Sequence, residues 1–375
     1  MERSASRTVL LTGLGALLLC TATATLAAMA WQLTPLPPQD WFGSALFKGW
    51  VRWDAGWYAH IATVGYSYTP GQQSPVAFFP AYPLAVRAVS GLGLNTNLSG
   101  VLIGMTCGIS ALFVFSRWAR TRADEEVARD AGLVLALYPL AFFLYGAMYS
   151  DALFLLLVVS AFLMLERGHL VPAVLLGAVA TAARPVAPAL VLGLLARRLE
   201  WKRERGLKWS LWDLLPVLAA TGFILYVLYQ WRAFGEPFAF VKVQGSPGWD
   251  QQPGWRTWLK LRWFQGFGWH MRLPVFWRLT GHALVTVGAL ALVWPTYKRL
   301  GWGYGLYTLA IVGMPAMATK DFMSMGRYLL AAFPLFLTLA MLLRERPRVH
   351  RAVLVFSAAL MVVLAGAFGA GAYVT

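Results

Sequence analysis

The chain has 375 residues, of which 59% are hydrophobic and 13% charged, with a formal net charge of +16. Soluble domains hold about 25% charged residues, so this deficit, set in apolar runs that recur along the whole chain, excludes a soluble enzyme and a disordered chain. A bilayer crossing needs about 20 apolar residues, and the composition is that of a polytopic helical membrane protein.

The basic surplus lies between the apolar runs, where it sets topology and meets anionic headgroups; it gives no ground for nucleic acid binding. The first run, 9–30, follows Arg3 and Arg7. Its Ala27-Ala28-Met29-Ala30 end resembles a signal cleavage site, but its length favours an uncleaved first helix with a cytoplasmic N-terminus. The longest connection follows, over 31–97, and is placed outside. Spans are expected at 98–118, 131–148 and 152–165. Residues 170–199 exceed one span, carry Arg184, Pro185 and Pro188 near their middle, and run into a basic segment at 197–208. Proline breaks helix hydrogen bonding, so two half-helices are expected to meet near Arg184 within the membrane, entering and leaving on the inner side.

Spans at 211–231, 282–297, 303–318, 328–343 and 353–373 complete eleven helical segments in one integral membrane domain over 1–375. With this topology the inner loops hold most of the basic residues, as the positive-inside rule requires. A second long outer loop, 233–278, interleaves Trp249, Trp255, Trp258, Trp263, Trp269 and Trp277 with Arg256, Lys260, Arg262, Arg272 and Arg278. It suits a helix lying on the outer leaflet, either as an anchor or as a dock for a lipid-linked substrate. Cys20 and Cys107 sit inside apolar runs as core residues, and no CxxC or HxxxH spacing marks a metal site.

Ionisable residues near membrane depth are costly and usually functional. The acidic residues of the inner loops sit among basic ones and read as solvated or ion-paired. The outer ones are Asp40, Asp54, Asp151, Glu236, Asp250 and Asp321. Asp54 lies in Arg52-Trp53-Asp54-Ala55-Gly56-Trp57-Tyr58-Ala59-His60. At helical spacing Trp53, Trp57 and Ile61 form an apolar stripe, while Asp54 and Tyr58 share a neighbouring face. Asp54 is then either a plain charge at a helix N-terminus or a general base facing a cavity. A second dense stretch, 77–87, holds Pro80 and Pro83 and reads as a rigid re-entrant or surface element packed on the bundle.

These two stretches, RWDAGWYAHIATVGY at 52–66 and AFFPAYPLAVR at 77–87, resemble the signature of the PIG-V-like mannosyltransferases. Those are multi-spanning glycosyltransferases of the GT-C class, related to the second mannosyltransferase of glycosylphosphatidylinositol synthesis. Tyr149-Ser150-Asp151, Ala183-Arg184-Pro185, Gly326-Arg327-Tyr328 and Phe333-Pro334 follow in the same order, so the resemblance spans about 45–340. One position departs from it: Tyr-Ser-Asp stands where Tyr-Ser-Glu is expected, which shortens the reach of the carboxylate.

The resemblance implies an all-α, GT-C-like fold and transfer of one sugar, mannose, from a polyprenyl-phosphate donor to a lipid-linked or other extracytoplasmic acceptor, with inversion. It implies Asp54 as general base. The leaving lipid phosphate gains negative charge and needs cationic donors; Arg327 is the first candidate, Lys320 the second and Arg184 the third. Asp321 is available as a plain ion-pair partner for Arg327. Arg52, Trp57, Tyr58, His60, Tyr82, Tyr149, Asp151 and Tyr328 complete the candidate substrate-binding set. No cofactor, metal or obligate protein partner is implied. The chain is shorter than a eukaryotic member would be, which points to a bacterial version in the plasma membrane with a different acceptor. From another class, a secondary transporter or flippase for a lipid-linked or anionic solute also fits broken helices and a mid-membrane arginine, although no two halves of the sequence repeat each other.

Overall fold

The computed structural model describes residues 2–34, 41–251, 253–268 and 271–375; Asp40 and Trp269 lie outside the described residues. Among the described residues the chain is helical, without strands. Its principal helices are α1 (Glu2–Ala30), α2 (Ala55–Thr63), α3 (Ala81–Ser90), α4 (Thr96–Ala119), α5 (Glu125–Ala136), α6 (Asp151–Glu166) and α7 (Leu170–Thr181). They continue as α8 (Ala187–Glu204), α9 (Thr221–Phe234), α10 (Leu273–Leu300), α11 (Trp302–Ala318), α12 (Pro334–Leu343) and α13 (Pro347–Gly369). Five stretches among the described residues are long and apolar enough to cross a membrane: Ser6–Ala30, Thr96–Ala119, Leu211–Phe234, Leu273–Leu300 and Pro347–Gly369. A sixth is counted if Met325–Ala331 and α12, bent by 90° at their junction, act as one. The other segments of the expected eleven are shorter or broken.

α6 is apolar on every side, the mark of a helix buried all round, and Leu155, Val158, Val159, Ala161 and Phe162 are 1% exposed or less. α4 and α7 pack along it. Glycine sets how closely the neighbours approach. An added Cβ at Gly108 of α4 would stand 1.8 Å from the Leu144 carbonyl oxygen, and one at Gly222 of α9 would stand 1.9 Å from that of Ala178. An aromatic core ties α4 and α6 to α11, with Trp118 edge-on to Tyr304 at 5.3 Å and Phe162 against Tyr307 at 4.8 Å.

The expected span at 131–148 does not form. α5 stops at Ala136 ahead of Pro139, and the chain runs on through a 3-10 turn, Ala141–Leu144, and irregular backbone to Ser150. Non-helical backbone survives at membrane depth only when buried in protein. Here the Met148 amide donates to the Trp50 carbonyl at 3.1 Å and the Tyr145 hydroxyl to that of Ala136 at 2.6 Å.

α7 and α8 are the expected broken pair, with Arg184 at their junction. Arg184 meets Asp151 at the start of α6 (2.8 Å), and Arg197 of α8 meets Glu166 at its end (2.5 Å). The two ion pairs therefore lie at opposite ends of α6, whose 16 residues span about 24 Å at 1.5 Å per residue, and α7 and α8 run between those ends. At the Glu166 end, Arg197 is wholly buried among Glu166, Glu200 and Glu204. The Glu200 carboxylate also accepts the Trp302 and Gly303 amides that open α11. Glu166 and Glu200 are thus buried ion-pair partners and not solvated loop charges.

The opposite end is built by the two long loops. Arg87 of α3 donates to the Ala62 and Ile61 carbonyls and closes the C-terminus of α2, as basic side chains near helix ends do. The second loop is not one amphipathic helix. It forms short turns at Ala239–Lys242, Trp255–Trp258 and Leu261–Gln265, with Gly254 and a left-handed Lys260 (φ 55°) between them. Trp255, Trp258, Phe264 and Trp277 remain exposed.

Candidate active site

The site begins with a backbone twist. Trp53 is left-handed (φ 53°), an unfavourable conformation for a bulky residue. Its indole N–H donates to the Ala372 carbonyl (3.2 Å) and its ring stands edge-on to Tyr373 at 5.1 Å. Trp53 therefore leaves the apolar stripe expected of it. Asp54 occupies the N-cap position of α2 and makes no side-chain capping bond, leaving its carboxylate free for other partners. Its amide donates to the Tyr149 hydroxyl (3.1 Å), and its Oδ2 lies 3.4 Å from Nη1 of Arg327.

Four charged side chains alternate from there. The Arg327 guanidinium stands over the rings of Tyr149 (4.9 Å), Phe143 (5.3 Å) and Tyr328 (5.4 Å), with Nε 3.9 Å from Oδ2 of Asp151. Asp151 Oδ1 accepts from Nη1 of Arg184 at 2.8 Å, and Arg184 lies over Tyr328 at 5.1 Å. The chain Asp54–Arg327–Asp151–Arg184 thus joins α2, the Met325–Tyr328 turn, α6 and the α7–α8 junction. The Asp151 side chain is 1% exposed and that of Arg327 6%, against 27% for Asp54. Asp151 is locked between two arginines, and Asp54 is the open end. Asp321 pairs with Arg262 (3.5 Å) and not with Arg327. Burial raises the Asp54 carboxyl above the ordinary carboxylate range, and Arg327 opposes that rise in part.

Around this chain the Tyr58 hydroxyl donates to Ser150 (3.1 Å) and is pushed up to about 12, first by burial and then by Asp54. Tyr82 backs it edge-on at 4.9 Å while donating to the Gly100 carbonyl. Trp57 stacks on Phe78 (5.8 Å) and meets Trp249 (5.9 Å), where the two loops join. His60 is exposed on α2. Arg52 is buried with its guanidinium on the Thr34 and Gly369 carbonyls, tying the motif to the end of α13. Lys320 donates to the Trp249 carbonyl (2.8 Å) and lies 3.6 Å from Asp250. It lines a groove of about 870 Å³ with Arg256, Arg262 and Trp255, outside the four-charge chain. Ser150, Phe143 and Tyr373 join the site unannounced. Ser150 carried a signal, lying between two candidates, whereas Phe143 was one aromatic among many. Among the described residues no cluster of three or more His, Cys, Asp or Glu could hold a metal ion.

Residues 9–195 match the family of mannosyltransferases described as PIG-V. Over these residues the chain belongs to the PIG-V mannosyltransferase family. Human GPI alpha-1,6-mannosyltransferase 2 is 34% identical over 166 residues, which cover 41% of this chain and 32% of that protein. The enzyme of the same name from Cricetulus griseus is 34% identical over 158 residues, 39% of this chain and 31% of that one. The chain thus matches about a third of the length of these curated relatives. Archaeal oligosaccharyltransferase AglB from Archaeoglobus fulgidus, solved with an inhibitory peptide and a dolichol-phosphate, aligns with a TM-score of 0.52 at 13% identity. It covers 99% of this chain and 56% of its own, which shows a GT-C fold. Asp54, Asp151 and Arg184 fall inside the family match, and Arg327 and Lys320 outside it.

Proposed function

We propose that the protein transfers one mannose from a polyprenyl-phosphate mannose to the hydroxyl of a lipid-linked or other extracytoplasmic acceptor. The observation that carries this reading is the half-open Asp54 carboxylate beside the caged Arg327. Asp54 takes the proton of the acceptor O–H as that oxygen attacks the anomeric carbon from the face opposite the phosphate. The bond from the anomeric carbon to the phosphate oxygen breaks, its electron pair leaves on polyprenyl phosphate, and the configuration inverts. A base needs a pKa near its working range, which the raised Asp54 carboxyl favours. Arg327, held between two carboxylates and three rings, receives the charge that grows on the leaving phosphate; Arg184 extends the cationic wall behind Asp151. A lipid-phosphate donor also suits an integral membrane site flanked by exposed tryptophans.

The test is sugar transfer by the purified full chain in nanodiscs, supplied with synthetic polyprenyl-phosphate mannose and a membrane lipid extract as acceptor source. Asp54→Asn is expected to lower release of polyprenyl phosphate at least about 100-fold while donor binding persists. Near-wild-type turnover of the folded variant would end the base assignment. Arg327→Ala is expected to raise the donor KM and lower kcat together.

A further inference from the structure

Arg327 owes its place to a backbone that is itself gripped. Phe322 and Ser324 are both left-handed (φ 65° and 63°), a region that disfavours residues with side chains, and the Met325–Tyr328 turn follows at once. The peptide groups of Gly326 are held on both sides by side chains distant in sequence. Its amide donates to Nδ1 of His282 on α10 at 3.1 Å, and its carbonyl accepts the Tyr138 hydroxyl at 2.9 Å. His282 is 5% exposed. Accepting at Nδ1 requires that nitrogen to be unprotonated, so the neutral imidazole carries its proton on Nε2. The grip leaves no room for a side chain at 326: an added Cβ would lie 2.6 Å from the Leu140 side chain and 2.9 Å from His282 Nδ1.

We propose that His282 and Tyr138 are positioning residues for sugar transfer, acting through Gly326 to hold the Arg327 guanidinium over Tyr149 between Asp54 and Asp151. This rests on Arg327 receiving the leaving phosphate. His282 serves as a hydrogen-bond acceptor fixed at one point and neither touches the reacting atoms nor moves a proton. A polar side chain in a membrane helix is costly without such a task, and a lone histidine in the apolar stretch of α10 is accounted for by this one.

The experiment is a double-mutant cycle on donor KM and kcat, with thermal unfolding recorded for each variant. His282→Leu keeps bulk but removes the acceptor. It is expected to change KM and kcat in the same sense as Arg327→Ala, by about 10-fold in kcat/KM, the size of one well-placed hydrogen bond. His282→Asn, whose Oδ1 can replace Nδ1, is expected to recover to within about 3-fold of wild type. The double variant Arg327→Ala/His282→Leu is expected to be no worse than Arg327→Ala alone, because the histidine has nothing left to position. Fully additive losses, or an Asn variant as impaired as Leu in a folded protein, would overturn the proposal and leave the Arg327 assignment standing. An unimpaired Arg327→Ala would remove both.

Discussion

Asp54 and Asp151 are carboxylates of one site with opposite surroundings. Asp151 is sealed at 1% exposure against Arg184 and Arg327, whereas Asp54 keeps 27% of its side chain open. Breaking a buried pair from one side costs about 3–5 kcal/mol, so Asp151→Asn is expected to unfold at a clearly lower temperature in detergent, while Asp54→Asn unfolds near wild type. Equal losses would mean that the two carboxylates share one structural role. If Asp54 is the base, as proposed, its raised carboxyl sets a pH dependence whose sign is fixed, because a base works only when deprotonated. Activity is therefore present above the Asp54 pKa and falls as pH drops through it, with the acid limb of kcat/KM above the ordinary carboxylate value of about 3.9. An acid limb at or below that value would contradict the burial-driven rise. Asp54 was legible from its motif and its spacing to Tyr58. The conformation of Trp53 was not, because it depends on Ala372 and Tyr373 at the far end of the chain.

Among the elements, the second loop departs most from its sequence pattern. The interleaved tryptophans and basic residues suggested one helix lying on the membrane, but a left-handed Lys260, its ammonium on the Ala316 and Thr319 carbonyls, breaks the run. Burial lowers that ammonium to about 8. The exposed Trp255 and Trp258 still suit the headgroup level. Their fluorescence is expected to be quenched by lipids brominated near the headgroup, with a loss of quenching in the Trp255→Phe/Trp258→Phe variant; quenching unchanged by the substitutions would place the loop away from the bilayer. The apolar run at 131–148 misled for a different reason. Buried irregular backbone needs as apolar a sequence as a spanning helix does, and Pro139 alone marked the break. The α7–α8 pair was legible from Pro185 and Pro188, but its height was not, since only the partners of Arg184 and Arg197 reveal it.

At the scale of the whole molecule, charge divides the bundle. Arg122, Arg197, Arg198 and Arg344 gather at the Glu166 end with their acidic partners, and the four-charge chain lies at the other. If the basic end faces the cytoplasm, as the charge bias requires, an impermeant maleimide is expected to label Gln72→Cys in intact cells and to spare Arg351→Cys, both positions being exposed. The reverse pattern would invert the topology and put sugar transfer on the inner face. Overall helical character and the early motifs were read from local pattern alone. The site as a whole was not, because its two halves meet only in the finished bundle.

That meeting has a consequence in time. Asp54 and Arg327 are 273 residues apart in the chain, and ribosomes add about 5–20 residues per second, so roughly 14 to 55 s of synthesis separate their emergence. A nascent chain that has already inserted Asp54, Asp151 and Arg184 therefore holds both carboxylates but only the outer of their two arginines, with the place between them unfilled. It waits in that state for its second cation before the four-charge chain can close.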